Sequence, residues 1–134
     1  MPVERDPKDP WWVTEPAPKP EEGYKFILRK REVLVMFEDR RYRVRPITRV
    51  IGPQTLKLHI WLWMGWSRWY SDHIEVYSAE QRQRFIENAA AECKIDPRLI
   101  EQDLGVIVRY VEEARDGLLK DLAEKRQSSE PTLQ

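Results

Sequence analysis

The sequence predicts an α+β fold, in which an antiparallel four-stranded β-sheet is followed by two C-terminal α-helices. Between Tyr24 and Tyr77 the apolar residues recur with period two, which is typical of strands that have one buried face. After residue 78 they recur at steps of three and four, as on the buried stripe of a helix. A chain of 134 residues has the length of one ordinary domain, so both patterns are assigned to a single core.

Composition divides the chain into a domain and two tails. Residues 1–23 hold most of the ten prolines with acidic residues between them, which predicts a flexible Pro-rich tail. Residues 24–126 are predicted to form the domain, with the sheet in 24–77 and the helices in 78–126. The polar residues 127–134 are predicted to be a disordered tail.

The first two predicted strands form a hairpin with one basic face. A turn at residues 38–40 separates an apolar strand, residues 33–37, from a strand in which Tyr42 and Val44 alternate with arginines. These arginines are Arg41, Arg43 and Arg45. Because alternate residues of a strand point to opposite faces, the three guanidinium groups are expected to share one face.

The third predicted strand has an aliphatic row on one face and an aromatic row on the other. The aliphatic row consists of Leu56, Leu58, Ile60, Leu62 and Met64. The opposite row consists of Lys57, His59, Trp61 and Trp63. Trp66, Trp69 and Tyr70 are placed on or near the turn that follows, around Gly65. Residues 72–77 then form the fourth strand, in which Ile74 and Val76 share the buried face.

Two capping signals mark the helix starts. Ser78 with Gln81 three residues later is a capping-box pattern, and Asp96 followed by Pro97 is a second start. The predicted buried stripes are Phe85, Ile86, Ala89, Ala90 and Cys93 in one helix, and Ile100, Leu104, Ile107, Val111, Ala114 and Leu118 in the other. Packing of both stripes on the aliphatic row of the sheet is favoured over an intermolecular seam, because that row needs a cover.

A net charge of zero conceals a strong partition of charge along the chain. Residues 25–70 carry eleven Lys and Arg against three Asp and Glu, whereas residues 71–134 carry nine against fourteen. The basic segment also contains the stretch WLWMGWSRWY, residues 61–70. A basic segment of this kind indicates a phosphate-bearing partner, although an acidic helix of the same chain would neutralise it equally well.

Three segments resemble a known family. FEDRRYRVRPI, DHIEVYSAEQRQRFIENAAAE and PRLIEQDLGVIV are similar to the connecting domain of some bacterial primase-helicase-like proteins of mobile elements, which lies between a zinc-finger/toprim primase part and an ATPase part. The resemblance covers roughly residues 32–113 and implies a replication context without primase or ATPase activity. The chain departs from the family pattern at GWSRWYSD and at Cys93–Lys94, where a turn of a helix-turn-helix would favour Gly.

Three interpretations of the tryptophan stretch are open: core packing, an exposed platform for bases or a partner protein, and a membrane-interface anchor. The period-two pattern favours the platform for Trp61 and Trp63, because the aliphatic row opposite already supplies a core face. Basic residues interleaved with aromatic rings suit single-stranded nucleic acid. The residues predicted to bind it are Arg41, Arg43, Arg45, Lys57, Trp61, Trp63 and Arg68.

The motif search predicts no catalytic residue, cofactor or metal site. There is no Gly-rich phosphate loop, nucleophile elbow or HExxH, and His59 and His73 lie on different predicted strands. The single Cys93 indicates a reducing, cytoplasmic setting, and the longest apolar run is too short for a membrane helix.

The sequence therefore predicts a non-catalytic accessory or connecting domain of a DNA replication system. Its expected partners are single-stranded nucleic acid and a primase or helicase/ATPase protein, with no membrane. The alternative is a protein-interaction module that docks on an ATPase or primase partner through the same tryptophans. A small enzyme with unfamiliar motifs is a remote third interpretation.

Overall fold

The computed structural model describes residues 3–4, 21–29, 31–47, 50–65 and 67–129. Their fold class is α+β, as predicted. The elements, in chain order, are β1 (Val3–Glu4), β2 (Lys25–Leu28), β3 (Val33–Phe37), β4 (Arg40–Pro46), β5 (Val50–Ile51), β6 (Lys57–Met64), β7 (Arg68–Glu75), α1 (Ala79–Cys93) and α2 (Pro97–Ser129).

The main sheet has five strands, one more than predicted, in the order β2-β3-β4-β6-β7. Each neighbouring pair in this sheet is antiparallel. The additional strand is β2, which pairs with β3 at one edge. The short strands β1 and β5 form a separate antiparallel pair. Strand β1 belongs to the segment that was predicted to be a flexible tail, and it pairs with β5. Residues 5–20 of that segment lie outside the described residues.

The predicted strand register is confirmed. Leu58, Ile60 and Leu62 of β6 are fully buried, and so are Val33 and Val35 of β3. Tyr42, Val44, Ile74 and Val76 are also buried. Both helices lie over these residues, on what we call the inner face of the sheet; the opposite side is the outer face. A slip of one residue would exchange the two faces, so the period-two pattern of the sequence determines which side is core.

The two helices begin at the predicted caps. The Ser78 side chain accepts a hydrogen bond from the Gln81 backbone N–H, as in a capping box, while the Gln81 side chain accepts from Glu75 N–H and so ties α1 to β7. Asp96 accepts from the Arg98 N–H in the first turn of α2. Between the helices, Lys94 adopts the left-handed conformation, with φ 55° and ψ 50°.

The apolar stripes of both helices pack against the sheet within the chain, as predicted. Phe85, Ala89 and Cys93 of α1 and Ile100 and Ile107 of α2 are fully buried in the same core as the strands. Phe26 of β2 stacks on Tyr110 of α2, with ring centroids 4.0 Å apart. The helix α2 continues to Ser129, three residues into the segment 127–134 that was predicted to be disordered, and residues 130–134 are not described.

A buried polar network joins α2 to the sheet. Asp103 of α2 is fully buried and accepts four hydrogen bonds, from Tyr24 Oη (2.7 Å), from Tyr42 Oη (2.5 Å), and from Arg40 Nε (2.5 Å) and Nη2 (3.1 Å). Burial and the neighbouring Asp103 raise the pKa of both tyrosines well above the ordinary phenol value. A buried ion pair is favourable only when its remaining polar atoms are hydrogen-bonded, and here the two hydroxyl groups meet that requirement.

Candidate nucleic-acid interface

The outer face carries rows of basic and aromatic residues that are aligned by strand pairing. Between β4 and β6 the directly opposed pairs are Arg41–Trp63, Arg43–Trp61 and Arg45–His59. Between β6 and β7 they are Trp63–Trp69, Trp61–Ser71, His59–His73 and Lys57–Glu75. Opposed residues of an antiparallel pair lie on the same face, so six of the seven predicted binding residues share this surface.

The arginines of β4 lie against the tryptophan rings of β6. The guanidinium carbon of Arg43 is 5.2 Å from the ring centroid of Trp63 and 5.8 Å from that of Trp61, and Arg45 is 5.2 Å from Trp61. These distances are within the range of cation–π attraction. The His59 ring also stacks on Trp61, with centroids 3.5 Å apart and planes 23° apart. Trp61 is therefore largely enclosed by side chains of its own chain.

Trp69 presents more ring surface than Trp61 and Trp63, which are both half-buried. Trp69 is 54% exposed and lies directly across from Trp63 on the neighbouring strand. The predicted start of the fourth strand at residue 72 was wrong, because β7 already begins at Arg68 and so includes Trp69 and Tyr70. The signal was present in the sequence, since Trp69 has the same period-two parity as His73. Trp69 is the most exposed ring of the three, and Trp63 has one arginine against it where Trp61 has two arginines and a stacked histidine.

Glu32, which lies just before β3, reduces the positive charge of the arginine row. Its carboxylate is nearly buried and accepts two hydrogen bonds from Arg45, at 2.9 Å from Nε and 2.6 Å from Nη2. Arg43 Nε lies 2.7 Å from the other carboxylate oxygen, as an ion pair whose geometry does not make it a hydrogen bond. Arg41 is exposed and makes no ion pair with the described residues. Arg41 is thus the least engaged of the three cations, and no sequence signal had indicated this difference.

A histidine pair continues the row toward the end of β6. The rings of His59 and His73 lie with centroids 4.0 Å apart. Burial lowers the pKa of His59 below its ordinary value of 6.5, and the nearby His73 and Arg45 lower it further. The neutral form of His59 is therefore favoured, which is consistent with its stacking on Trp61. Neither histidine belongs to a group of three or more potential metal ligands among the described residues.

The other side of the arginine row is aliphatic. Strand pairing places Met36 opposite Arg41, Leu34 opposite Arg43, and Ile27 of β2 opposite Leu34. A cavity of about 580 Å³ lies along this boundary and is lined by Leu34, Met36, Asp39, Arg41, Tyr42, Arg43, Trp63 and Gly65. One wall is aliphatic and the other is aromatic, and the charged residues in the lining are Arg41, Arg43 and Asp39.

Arg68 does not join the other predicted binding residues. It is paired with Met64, whose side chain packs on the core, so its parity is that of the inner face. Its charge lowers the pKa of Cys93, although burial of the thiol raises that pKa overall. The expectation that Arg68 shares a surface with Trp61 and Trp63 was wrong. Arg68 is the first residue of β7, and its position in that strand directs its side chain to the inner face.

Comparison of the chain with protein-family models, with curated proteins and with solved structures gives no match. The resemblance to the primase-helicase connecting domain therefore stays a prediction. Among the described residues, neither helix combines the length and the apolar character that crossing a membrane requires.

Proposed function

We propose that the outer face binds single-stranded nucleic acid, and that the chain acts as a non-catalytic accessory or connecting domain. The observation that carries this proposal is the direct pairing of the arginine row of β4 with the tryptophan row of β6, on the face opposite both helices. Guanidinium groups attract backbone phosphates, and exposed rings accept bases without reading their sequence. The replication setting and a primase or helicase/ATPase partner rest on the sequence resemblance alone.

The contacts on the outer face assign different roles to its residues. Arg41 is exposed and makes no ion pair with the described residues, so it can neutralise a phosphate without losing a partner. Lys57 is also exposed, but it lies opposite Glu75 and its charge helps to lower the pKa of that carboxyl. Arg43 and Arg45 hold Glu32, but a guanidinium has five N–H donors and keeps some of them available. Stacking falls to Trp63 and Trp69.

Fluorescence anisotropy with labelled oligonucleotides across a salt series tests this proposal. Trp69→Ala and Trp63→Ala should each weaken binding by about 1 to 3 kcal/mol, the value of one lost stack. Arg41→Ala should weaken binding and lower the slope of log K against log salt by about 1, because one counterion fewer is released. Arg82→Ala removes the same charge from an exposed position of α1 and should change neither quantity.

Arg43→Ala and Arg45→Ala are poor first variants, because each leaves the nearly buried Glu32 with one cation fewer. All variants are checked by circular dichroism and by their melting temperature before binding is measured. Absence of binding by the wild-type chain at low salt would refute the proposal.

One observation favours a second function, the docking of a partner protein. The β2–β3 side of the outer face carries the aliphatic residues Ile27, Leu34 and Met36, and Glu32 neutralises part of the arginine row. Such a surface suits a protein with apolar and acidic side chains. Salt separates the two functions, because binding to phosphates weakens steeply as salt rises whereas an apolar interface does not.

A further inference from the structure

The strand β7 is an edge strand whose free side is closed by side chains along only half of its length. It pairs with β6 on one side. On the other side, His73 N–H donates to Asp72 Oδ1 (2.8 Å) and His73 C=O accepts from Arg84 Nη2 (3.0 Å). Glu75 N–H donates to the Gln81 side chain (2.7 Å). The C-terminal half of the edge is therefore satisfied within the chain.

The N-terminal half of the same edge is open. Along an edge strand, the backbone N–H and C=O groups of every second residue point away from the neighbouring strand. The backbone groups of Trp69 and Ser71 therefore point to the same free side as those of His73 and Glu75. No partner for the N–H and C=O groups of Trp69 and Ser71 lies in the parts of the chain that the structure describes. A cavity of about 420 Å³ lies here, lined by Ser67, Trp69, Tyr70, Ser71 and Glu92. The open edge therefore has space beside it for another strand.

We propose that β7 of a second copy of this chain occupies the open edge, antiparallel and about a two-fold axis at Tyr70. In this register Trp69 lies opposite the partner's Ser71, and Ser71 lies opposite the partner's Trp69. Each of these pairs exchanges two backbone hydrogen bonds, so all the open groups of both copies are satisfied. Two five-stranded sheets become one continuous sheet.

Two charged residues of β7, Arg68 and Asp72, are self-complementary in this register. Arg68 comes to lie opposite the partner's Asp72, and by symmetry the same pair forms a second time. Asp72 already contacts Arg84 at 2.9 Å and Tyr70 Oη at 3.1 Å, which holds its carboxylate in place near the edge. Opposite charges that face each other across a strand pair are attractive, whereas like charges disfavour it.

The closed half of the edge fixes this register. Sliding the partner strand along β7 in one direction brings it to His73, whose N–H and C=O are both already bonded. Sliding it the other way brings it past Arg68, where the strand ends. The pairing does not depend on nucleic-acid binding, since it uses backbone groups and inner-face charges. If both occur, the outer faces of the two copies form one surface.

The mass of the wild-type chain in solution, measured by light scattering from micromolar to near-millimolar concentration, tests this proposal. The expected result is a concentration-dependent rise from the 16.1 kDa of one chain to twice that mass. Ser71→Pro should keep the chain monomeric throughout. It removes an N–H that points away from β6, so no hydrogen bond inside the sheet is lost. Ser71→Thr keeps that N–H and should dimerise like the wild type.

A charge exchange tests the register. Arg68→Glu alone places a carboxylate opposite the partner's Asp72, and Asp72→Arg alone places two cations opposite each other. Each variant should raise the dimer dissociation constant at least tenfold. An equimolar mixture of the two variants restores both attractive pairs and should form heterodimers, which native mass spectrometry resolves.

A wild-type chain that stays monomeric over the whole range would overturn the proposal, and so would a dimer that a folded Ser71→Pro variant leaves intact. If Ser71→Pro fails to fold, the mixture decides, because its failure to form heterodimers is incompatible with the register. Nucleic-acid binding by a chain that remains monomeric would leave the proposed function standing and remove only this inference.

Discussion

Replacement of Asp103 by Asn should be among the most destabilising conservative changes in this chain. Asp103 is fully buried and accepts four hydrogen bonds, and its partner Arg40 is only 2% exposed. The change removes the carboxylate charge at nearly constant volume and leaves the Arg40 guanidinium buried without its main counter-ion. Breaking a buried ion pair from one side costs about 3 to 5 kcal/mol. Since a small domain is stable by about 5 to 15 kcal/mol, the loss is a large share of the total.

Urea denaturation, followed by tryptophan fluorescence and extrapolated linearly to water, measures this loss. The matched control is Glu101→Ala, which removes an exposed acid from the same helix and should change stability by no more than about 0.5 kcal/mol. A separate double-mutant cycle, which combines Asp103→Leu with Arg40→Met, tests the cause. The double variant Asp103→Leu with Arg40→Met should lose less than the sum of its two single changes, because no buried charge is left over. A loss below about 1 kcal/mol for Asp103→Asn would refute the reasoning, since the network would then be no stronger than one ordinary hydrogen bond.

Three further predictions concern the core, the turn between the helices and alkaline pH. Leu58→Ala should cost about 2 to 5 kcal/mol of unfolding free energy because the side chain is fully buried, whereas Lys57→Ala on the outer face should cost little; the reverse ranking in urea melts would contradict the register. Lys94→Gly should raise stability by about 1 kcal/mol, because Lys94 has φ 55° and glycine adopts that conformation without strain; an unchanged urea midpoint would argue against the left-handed turn. Because the pKa values of Tyr24 and Tyr42 are raised from 10 in the folded chain, the unfolded chain loses phenol protons first, and stability should fall as pH rises above 10; a flat profile would contradict the burial of these hydroxyl groups.

The faces of the strands were predictable because the side-chain period of a strand is two and needs no tertiary information. The missing strand shows the limit of that signal. In β2 the inner-face Phe26 and Leu28 flank Ile27, which lies on the outer face, so the pattern reads as a continuous apolar run. A run of this kind does not distinguish a strand from other buried segments. The start of β7 was misplaced because Gly65 indicates a turn without indicating its length.

The buried network was not predictable from composition, although its position left a trace. Asp103 lies three residues after Ile100 and four before Ile107, which places it on the buried stripe of α2. Read alone, it is one more acid on a charged helix. Its partner Arg40 belongs to the motif RRYRVR and Asp103 to DLG, two of the motifs on which the family resemblance rests. The structure brings them together, so these motifs have a structural reason that is independent of any binding function.

The separation of the two sheet faces has a consequence for how this domain can change. Core side chains and outer-face side chains alternate along the same strands, so most substitutions on the outer face leave the packing of the inner face untouched. Glu32, with Arg43 and Arg45, is one exception because it is nearly buried, and Glu75 is another because it accepts hydrogen bonds from Thr55 and from the Leu56 backbone N–H. We expect outer positions that make no such contacts to tolerate substitution, which makes the sheet a tolerant scaffold. A combinatorial library at positions 34, 36, 41, 63 and 69 could therefore sample new specificities while the core keeps a single folded state.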